Sequence, residues 1–227
     1  MIKIENVEVF GWDAAIRGMR NPKNSWDQSA SYWDFPEHPD RFVLGENDLK
    51  LMNLLAMAGD DHGKVIRYLD VYVDITAPLY WWKEFRTYRK DRKFMDDGDD
   101  FTDPDELEFH IETNSCSTMH KIHAKEFTLD DFSHEHLEDV FLNDMYCLLW
   151  TLNHAREKFL ETKDKKYWWQ MIQLLPSSYN QKRTVKLNYQ VLKRMYNARK
   201  AHKLDEWREF CKWCETLPYF KEICLGD

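Results

Sequence analysis

Asn114-Ser115-Cys116-Ser117-Thr118-Met119-His120-Lys121 gathers an amide, hydroxyls and a thiol ahead of a basic pair, without a glycine to fold a phosphate loop. Small side chains let a ligand approach closely, and Asn114 and Ser117 offer donors and acceptors. The run reads as a hydrogen-bonding floor for a ligand. Cys116, with His120 four residues on, invites a nucleophile reading. A thiolate, however, needs a positioned base and an orienting third group, and nothing in the sequence shows that geometry. Ser115 or Ser117 can also cap a helix start, and both roles can hold together.

A second constellation lies further on. The pattern over 181–201 predicts a helix, on which Asn188 and Arg199 are eleven residues apart. Eleven steps of about 100° make three turns with a drift of only ~20°, so both side chains share one face. An amide and a guanidinium on a rigid helix can grip a planar ring or a phosphate. The alternative is that Arg199 solvates the helix end beside Lys200 and Lys203. Arg17 and Arg20, spaced i, i+3, and Lys121 and His123 are further candidate ligand contacts. Cys211 and Cys214 form a lone CxxC inside an aromatic helical pattern, without a second ligand pair, and read as buried small hydrophobes. The acidic run from Asp96 to Asp105 lacks the spacing of a calcium loop and reads as solvated.

Elements that position these residues follow from periodicity. Residues 2–10 and 65–75 alternate as strands do. Residues 21–39 form a polar, aromatic loop; a helix runs from Asn47, as its cap, to Ala58 before Gly59. Pro78 starts another helix over 79–88. The acidic stretch 91–112 is a loop, and helices follow over about 135–162, 164–174, 181–201 and 204–216, interrupted by Pro176 and Pro218. The expected architecture is one mixed α/β domain over 1–227, strands with helices first and a helical layer second.

Composition narrows the function. With 227 residues, 43% of them apolar, the chain can fill a core. A formal charge of -8 disfavours a broad nucleic-acid footprint and leaves room for a local cationic pocket that takes a small anion. No apolar run approaches the roughly 20 residues needed to cross a bilayer, and Met1–Glu5 opens as a strand, so a cytoplasmic protein is expected. Ten Trp in a chain of mean hydropathy -0.71 suit an oligomer with apolar interface anchors. Of the adjacent pairs Trp81-Trp82 and Trp168-Trp169, at most one ring each can face a ligand.

The segment Ala77-Pro78-Leu79-Tyr80-Trp81-Trp82-Lys83-Glu84-Phe85-Arg86-Thr87-Tyr88-Arg89 resembles, without a gap, the stretch A-P-I-F-V-A-R-Q-W-F-R-H-R of flavin-dependent thymidylate synthases. The opening run is similar to that family's S-x-N-E-x-S-x-R-Y signature, with Asn114 as its Asn and Ser117 as its second Ser. Leu175-Pro176, Asn188 and Arg199 follow in the family's order and with its Asn-to-Arg spacing. The resemblance covers most of 65–207 in pieces. It implies a mixed α/β fold (α+β) with a small sheet and a large helical layer, and a homotetramer with sites between subunits. It further implies FAD and dUMP as ligands, with NADPH and methylene-tetrahydrofolate as co-substrates. On this resemblance Asn188, Lys83 and Tyr88 contact flavin. Glu84, Arg89, Asn114, Ser115 and Ser117 face the nucleotide, and Arg199 stabilises negative charge on the pyrimidine as the catalytic residue.

Departures from the pattern point to a changed ligand. Thr87 and Tyr88 replace the first Arg and the His of R-H-R, Ser115 replaces Glu, Met119 and His120 replace Arg-Tyr, and Ile172 stands where the family carries a phosphate-holding arginine. Each charge-assisted hydrogen bond lost is worth about 1.5–3 kcal/mol. The alternative function is therefore a catalytically retired protein that binds or sequesters a nucleotide on the same scaffold.

Overall fold

Alternation of Val71, Val73, Ile75 and Ala77, all buried, makes β4 (Asp70–Pro78) a strand with one face in the core. The computed structural model describes residues 2–39, 41–59, 61–89 and 111–226. Beside β4 in a four-stranded sheet lie β1 (Lys3–Phe10), β5 (Glu112–Ser115) and β6 (Asn180–Asn188), in the order β1-β4-β6-β5. A second small sheet pairs β2 (Tyr32–Trp33) with β3 (Phe42–Val43), antiparallel, Tyr32 opposite Val43. The helices are α1 (Trp12–Arg20), α2 (Glu46–Met57), α3 (Leu79–Phe85), α4 (Asp139–Thr162), α5 (Lys165–Leu174), α6 (Tyr189–Arg199) and α7 (Asp205–Cys214). The fold is mixed α/β, a small sheet with a large helical component. Among the described residues no helix is long and apolar enough to cross a membrane.

Several boundaries differ from those the sequence predicts. The helix expected over 181–201 is strand β6 followed by helix α6, because Gln181, Arg183, Val185 and Leu187 alternate inward with period two. Polar residues at two of those four positions conceal the strand pattern. Helix α2 starts at Glu46 with Gly45 as its cap, so Asn47 lies inside the first turn. Strand β4 starts at Asp70, and Gly63–Arg67 form a 3-10 turn. The helix expected over 79–88 ends at Phe85 and continues as a 3-10 turn, Arg86–Arg89. The acidic stretch lies outside the described residues apart from 111–112, where β5 begins.

Contacts divide the chain into two compact units. The first holds, of the described residues, 2–5, 74–89 and 113–184. Its helices α4 and α5 enclose a cluster of Ile122, Phe127, Phe132, Leu149, Leu152 and Met171, against which Trp168, Ile172 and Tyr179 pack. The second holds, again of the described residues, those within 6–73, 111–112 and 185–226. Its core includes Trp12, Met52, Tyr189, Trp207, Phe210 and Phe220. Gly11 turns β1 into α1 at φ +99°, where a Cβ would lie 1.8 Å from the Tyr68 carbonyl oxygen, so only glycine fits.

Inside the second unit, Arg20 and Asp48 are 3% and 0% exposed and meet at 2.6 Å. Asp48 also accepts from Ser29, Ser31 and the Ala30 N–H, and Arg20 donates to the Ser25 and Gln28 carbonyls. Burial alone pushes the Asp48 carboxyl up, but the bonds from Ser31, Ser29, Arg20 and Ala30 together hold it below its ordinary value of 3.8. Arg20, expected from its spacing to be a candidate ligand contact, is instead committed to tethering the 21–39 loop to α2. Asp48→Ala strands a buried guanidinium, with an expected loss of about 3–5 kcal/mol in urea unfolding. Because the folded carboxyl titrates low, its stabilisation is complete at neutral pH and disappears as pH falls through the folded value. The wild-type protein should therefore lose stability below about pH 4 more steeply than Asp48→Ala.

Candidate functional site

Strand β6 carries the site of the first unit. Its inward residue Arg183, 5% exposed, donates from Nε and Nη2 to Gln181 Oε1 at 3.1 and 2.8 Å. The guanidinium lies over the Trp82 ring, 4.3 Å from its centroid. Trp82 in turn donates its indole N–H to the Gln181 carbonyl at 2.9 Å, and Gln181 donates from Nε2 to the Cys116 carbonyl at 2.6 Å. The Cys116 N–H reaches the Lys182 carbonyl, so the run after β5 continues against β6. A strand, a helix and a loop are fixed around one cation.

These residues wall a cavity of about 420 Å³ lined by Leu79, Trp82, Lys83, Arg86, the run 115–119, Gln181 and Arg183. Three cations face it, and among the described residues no carboxylate lines it. An acidic protein thus holds a positive pocket of a size that small ligands occupy. A planar guanidinium stacked on an indole offers a flat surface, and the hydroxyls and cations offer anion contacts.

Of the residues singled out in the sequence, Lys83, Ser115 and Ser117 come together here. The Ser117 oxygen accepts from the Met119 and His120 N–H groups at 3.2 and 2.8 Å and lies 3.3 Å from His120 Nδ1. It is therefore a turn-capping oxygen at the cavity wall. Asn114 is exposed on β5; Glu84 and Tyr88 are half-buried on α3 and its 3-10 extension. Arg89 closes that turn, and its side chain lies outside the described residues. Lys121 is exposed, and the His123 ring packs on Phe159. Trp168 donates its indole N–H to the Met119 carbonyl at 2.9 Å.

Asn188 and Arg199 belong to the second unit. Asn188 caps α6, its Oδ1 accepting from the Val191 N–H at 3.1 Å, and Arg199 ends the helix with its guanidinium 4.9 Å from the Trp207 ring centroid. Eleven residues of helical rise put about 16 Å between them. Cys211 and Cys214 are buried on α7, and burial pushes the Cys211 thiol up to about 11 and Cys214 well above its ordinary value. Arg86, Gln181 and Arg183 are functional candidates that the sequence motifs do not single out; the signal that finds the last two is the period-two alternation of 181, 183, 185 and 187.

No family model matches the chain, and no curated protein matches its sequence. Solved structures do resemble it. One is thymidylate synthase X (ThyX) from Helicobacter pylori with FAD and dUMP, with a TM-score of 0.65 and 14% identity over 100% of this chain and 98% of that one. Another is the flavin-dependent thymidylate synthase ThyX from the same organism, complexed with FAD and dUMP, with a TM-score of 0.62 and 14% identity over 98% and 99%. At that identity the likeness shows a ThyX-like fold. Gln181→Ala should remove one acceptor of Arg183 and a donor to the Cys116 carbonyl, lowering stability by about 1–3 kcal/mol in chemical denaturation.

Proposed function

We propose that this protein binds a pyrimidine nucleotide of the dUMP type in the 420 Å³ cavity of the first unit. The observation that carries the reading is the trio Lys83, Arg86 and Arg183 around a hydroxyl-lined floor. A phosphate takes charge-assisted bonds from such cations, and the Trp82–Arg183 stack offers a face to a flat base. The ThyX-like scaffold, whose solved examples hold FAD and dUMP, supports the same ligand class.

FAD is proposed as the cofactor on that likeness. By the same resemblance Lys83, Tyr88 and Asn188 are the proposed flavin contacts. Their chemistry fits a ligand with phosphates and ring carbonyls: an exposed ammonium, a phenol and an amide whose N–H₂ is available while its oxygen caps α6. Bound flavin would supply hydride transfer, drawing on NADPH, with methylene-tetrahydrofolate as carbon donor. Arg199 and the nucleotide contacts at Arg89, Glu84 and Asn114, a homotetrameric assembly and a cytoplasmic location belong to the same proposal.

Retirement from catalysis is the second reading, and Ile172 favours it. The position where the family carries an arginine packs into the hydrophobic cluster of α4 and α5. An apolar side chain held there by the core offers a phosphate no cation. A nucleotide binder without flavin turnover then remains on the same scaffold.

Titration calorimetry with dUMP tests the proposal. Arg183→Ala should weaken binding about 10- to 150-fold, the equivalent of 1.5–3 kcal/mol, and Lys83→Ala less because it is exposed. Absence of binding, or equal affinity in both variants, refutes the cavity as the site. An absorbance spectrum from about 300 to 550 nm after FAD loading and desalting separates the two readings: flavin bands support the flavoenzyme, and dUMP binding by a colourless protein supports retirement.

A further inference from the structure

The second unit holds a larger cleft, about 1060 Å³, that the proposed function leaves unused. Four consecutive residues of β1, Val7 to Phe10, line it. Successive side chains of a strand leave by opposite faces, so four in a row cannot all reach one face. The cleft therefore runs along the edge of β1. That strand is the outermost of its sheet among the described residues, and its outer edge presents main-chain N–H and C=O groups.

Across the cleft stand aromatic rings held in fixed orientations. Trp12 stacks on Phe42 at 5.4 Å and 10°, and Trp33 meets the same ring edge-on at 5.1 Å. The polar edges of two lining aromatics are already satisfied: Trp33 donates to Asp13, and the Tyr219 hydroxyl accepts from the Leu44 N–H. Ring faces are what the wall offers. Phe35 and Phe10 are 66% and 51% exposed, and large apolar rings left exposed along one cleft mark a binding surface. Charge on the rim is unequal. Glu8 and Glu222 line the cleft, whereas the lining Arg41 has Asp34 at 4.0 Å. A basic partner is favoured.

We propose that this cleft docks an extended peptide segment of another protein, which adds a strand to the β1 edge, seats an aromatic or apolar side chain among Trp33, Phe35 and Phe42, and places lysine or arginine against Glu8 and Glu222. Main-chain pairing supplies the affinity and alternate side chains the specificity. The occupant is distinct from the nucleotide in chemistry and lies in the other compact unit.

The probe is a set of acetylated, amidated hexapeptides alternating Phe with Lys, Gln or Glu, added to the ¹⁵N-labelled full chain and followed by amide and indole shifts. The Phe/Lys peptide should shift Val7–Phe10 and the Trp33 indole, slow exchange of edge amides on β1, and bind at least about tenfold tighter than Phe/Glu. N-methylating alternate amides along its pairing edge should abolish binding. Glu8→Lys with Glu222→Lys should reverse the Lys/Glu preference, and Phe35→Ala, an exposed change that leaves the fold intact, should weaken all peptides. Shifts elsewhere, tolerance of N-methylation, indifference to charge, or no binding would each overturn the proposal. Signal broadening that depends on protein concentration without peptide would assign the edge to a second copy of the chain and overturn it as well.

Discussion

A guanidinium cannot leave water without replacing its hydrogen bonds, and burial of an unpaired charge costs several kcal/mol. Strand β6 places Arg183 in that position, because alternation that sends Val185 and Leu187 into the core sends residues 181 and 183 the same way. Gln181 answers with its carbonyl oxygen, and Trp82 with its ring face. Gln181 then reaches Cys116 and receives Trp82 through its own backbone carbonyl. The demand of one buried cation thereby aligns β6, α3 and the loop after β5, the three walls of the cavity.

Arg20 meets the same demand differently. Its partner is a carboxylate saturated by two serines and a backbone N–H, so the pair is electrically closed and serves as a tether. Arg183 donates to the neutral amide oxygen of Gln181 and lies on the Trp82 ring, contacts that satisfy its donors and its face. Arg183 lines the cavity as well, which Arg20 does not. Two buried arginines of one chain thus differ in place, one closed into a tether and one at a cavity wall.

Much of the architecture is legible in the sequence. Strong alternation in β4 and apolar periods in α4 and α5 are plain, since their fully buried positions are all apolar, and α7 keeps its period although Glu206 is buried among its apolar residues. Strand β6 reads as helix for the opposite reason: Gln181 and Arg183 occupy inward positions, and binary patterning takes inward polar residues for surface ones. Asn188 caps α6 instead of lying within a longer helix that ends at Arg199, because a strand ends where a helix turn is expected. Residues tied to the cavity by local motif, Lys83, Ser115 and Ser117, are visible in the sequence; those that arrive by tertiary pairing, Gln181 and Arg183, are not. A single-sequence pattern carries the former kind of information and not the latter.

The departures from the thymidylate synthase pattern acquire a physical sense in this light. Ile172 packs against the hydrophobic cluster, and Met119, where the family has arginine, lines the cavity without charge. Positive charge enters from Arg86 on the 3-10 turn and from Arg183 on the strand. A cation on a strand buried beneath an indole is held more rigidly than one on a loop, so less side-chain entropy is lost when an anion arrives. On the proposed nucleotide reading, moving the charge also moves the point at which a phosphate would be gripped, and with it the part of the cavity that would face the base. A ligand set by such a pocket is chosen by where its anion and ring can lie together, and a change of grip changes the ligand while the fold that carries it stays the same.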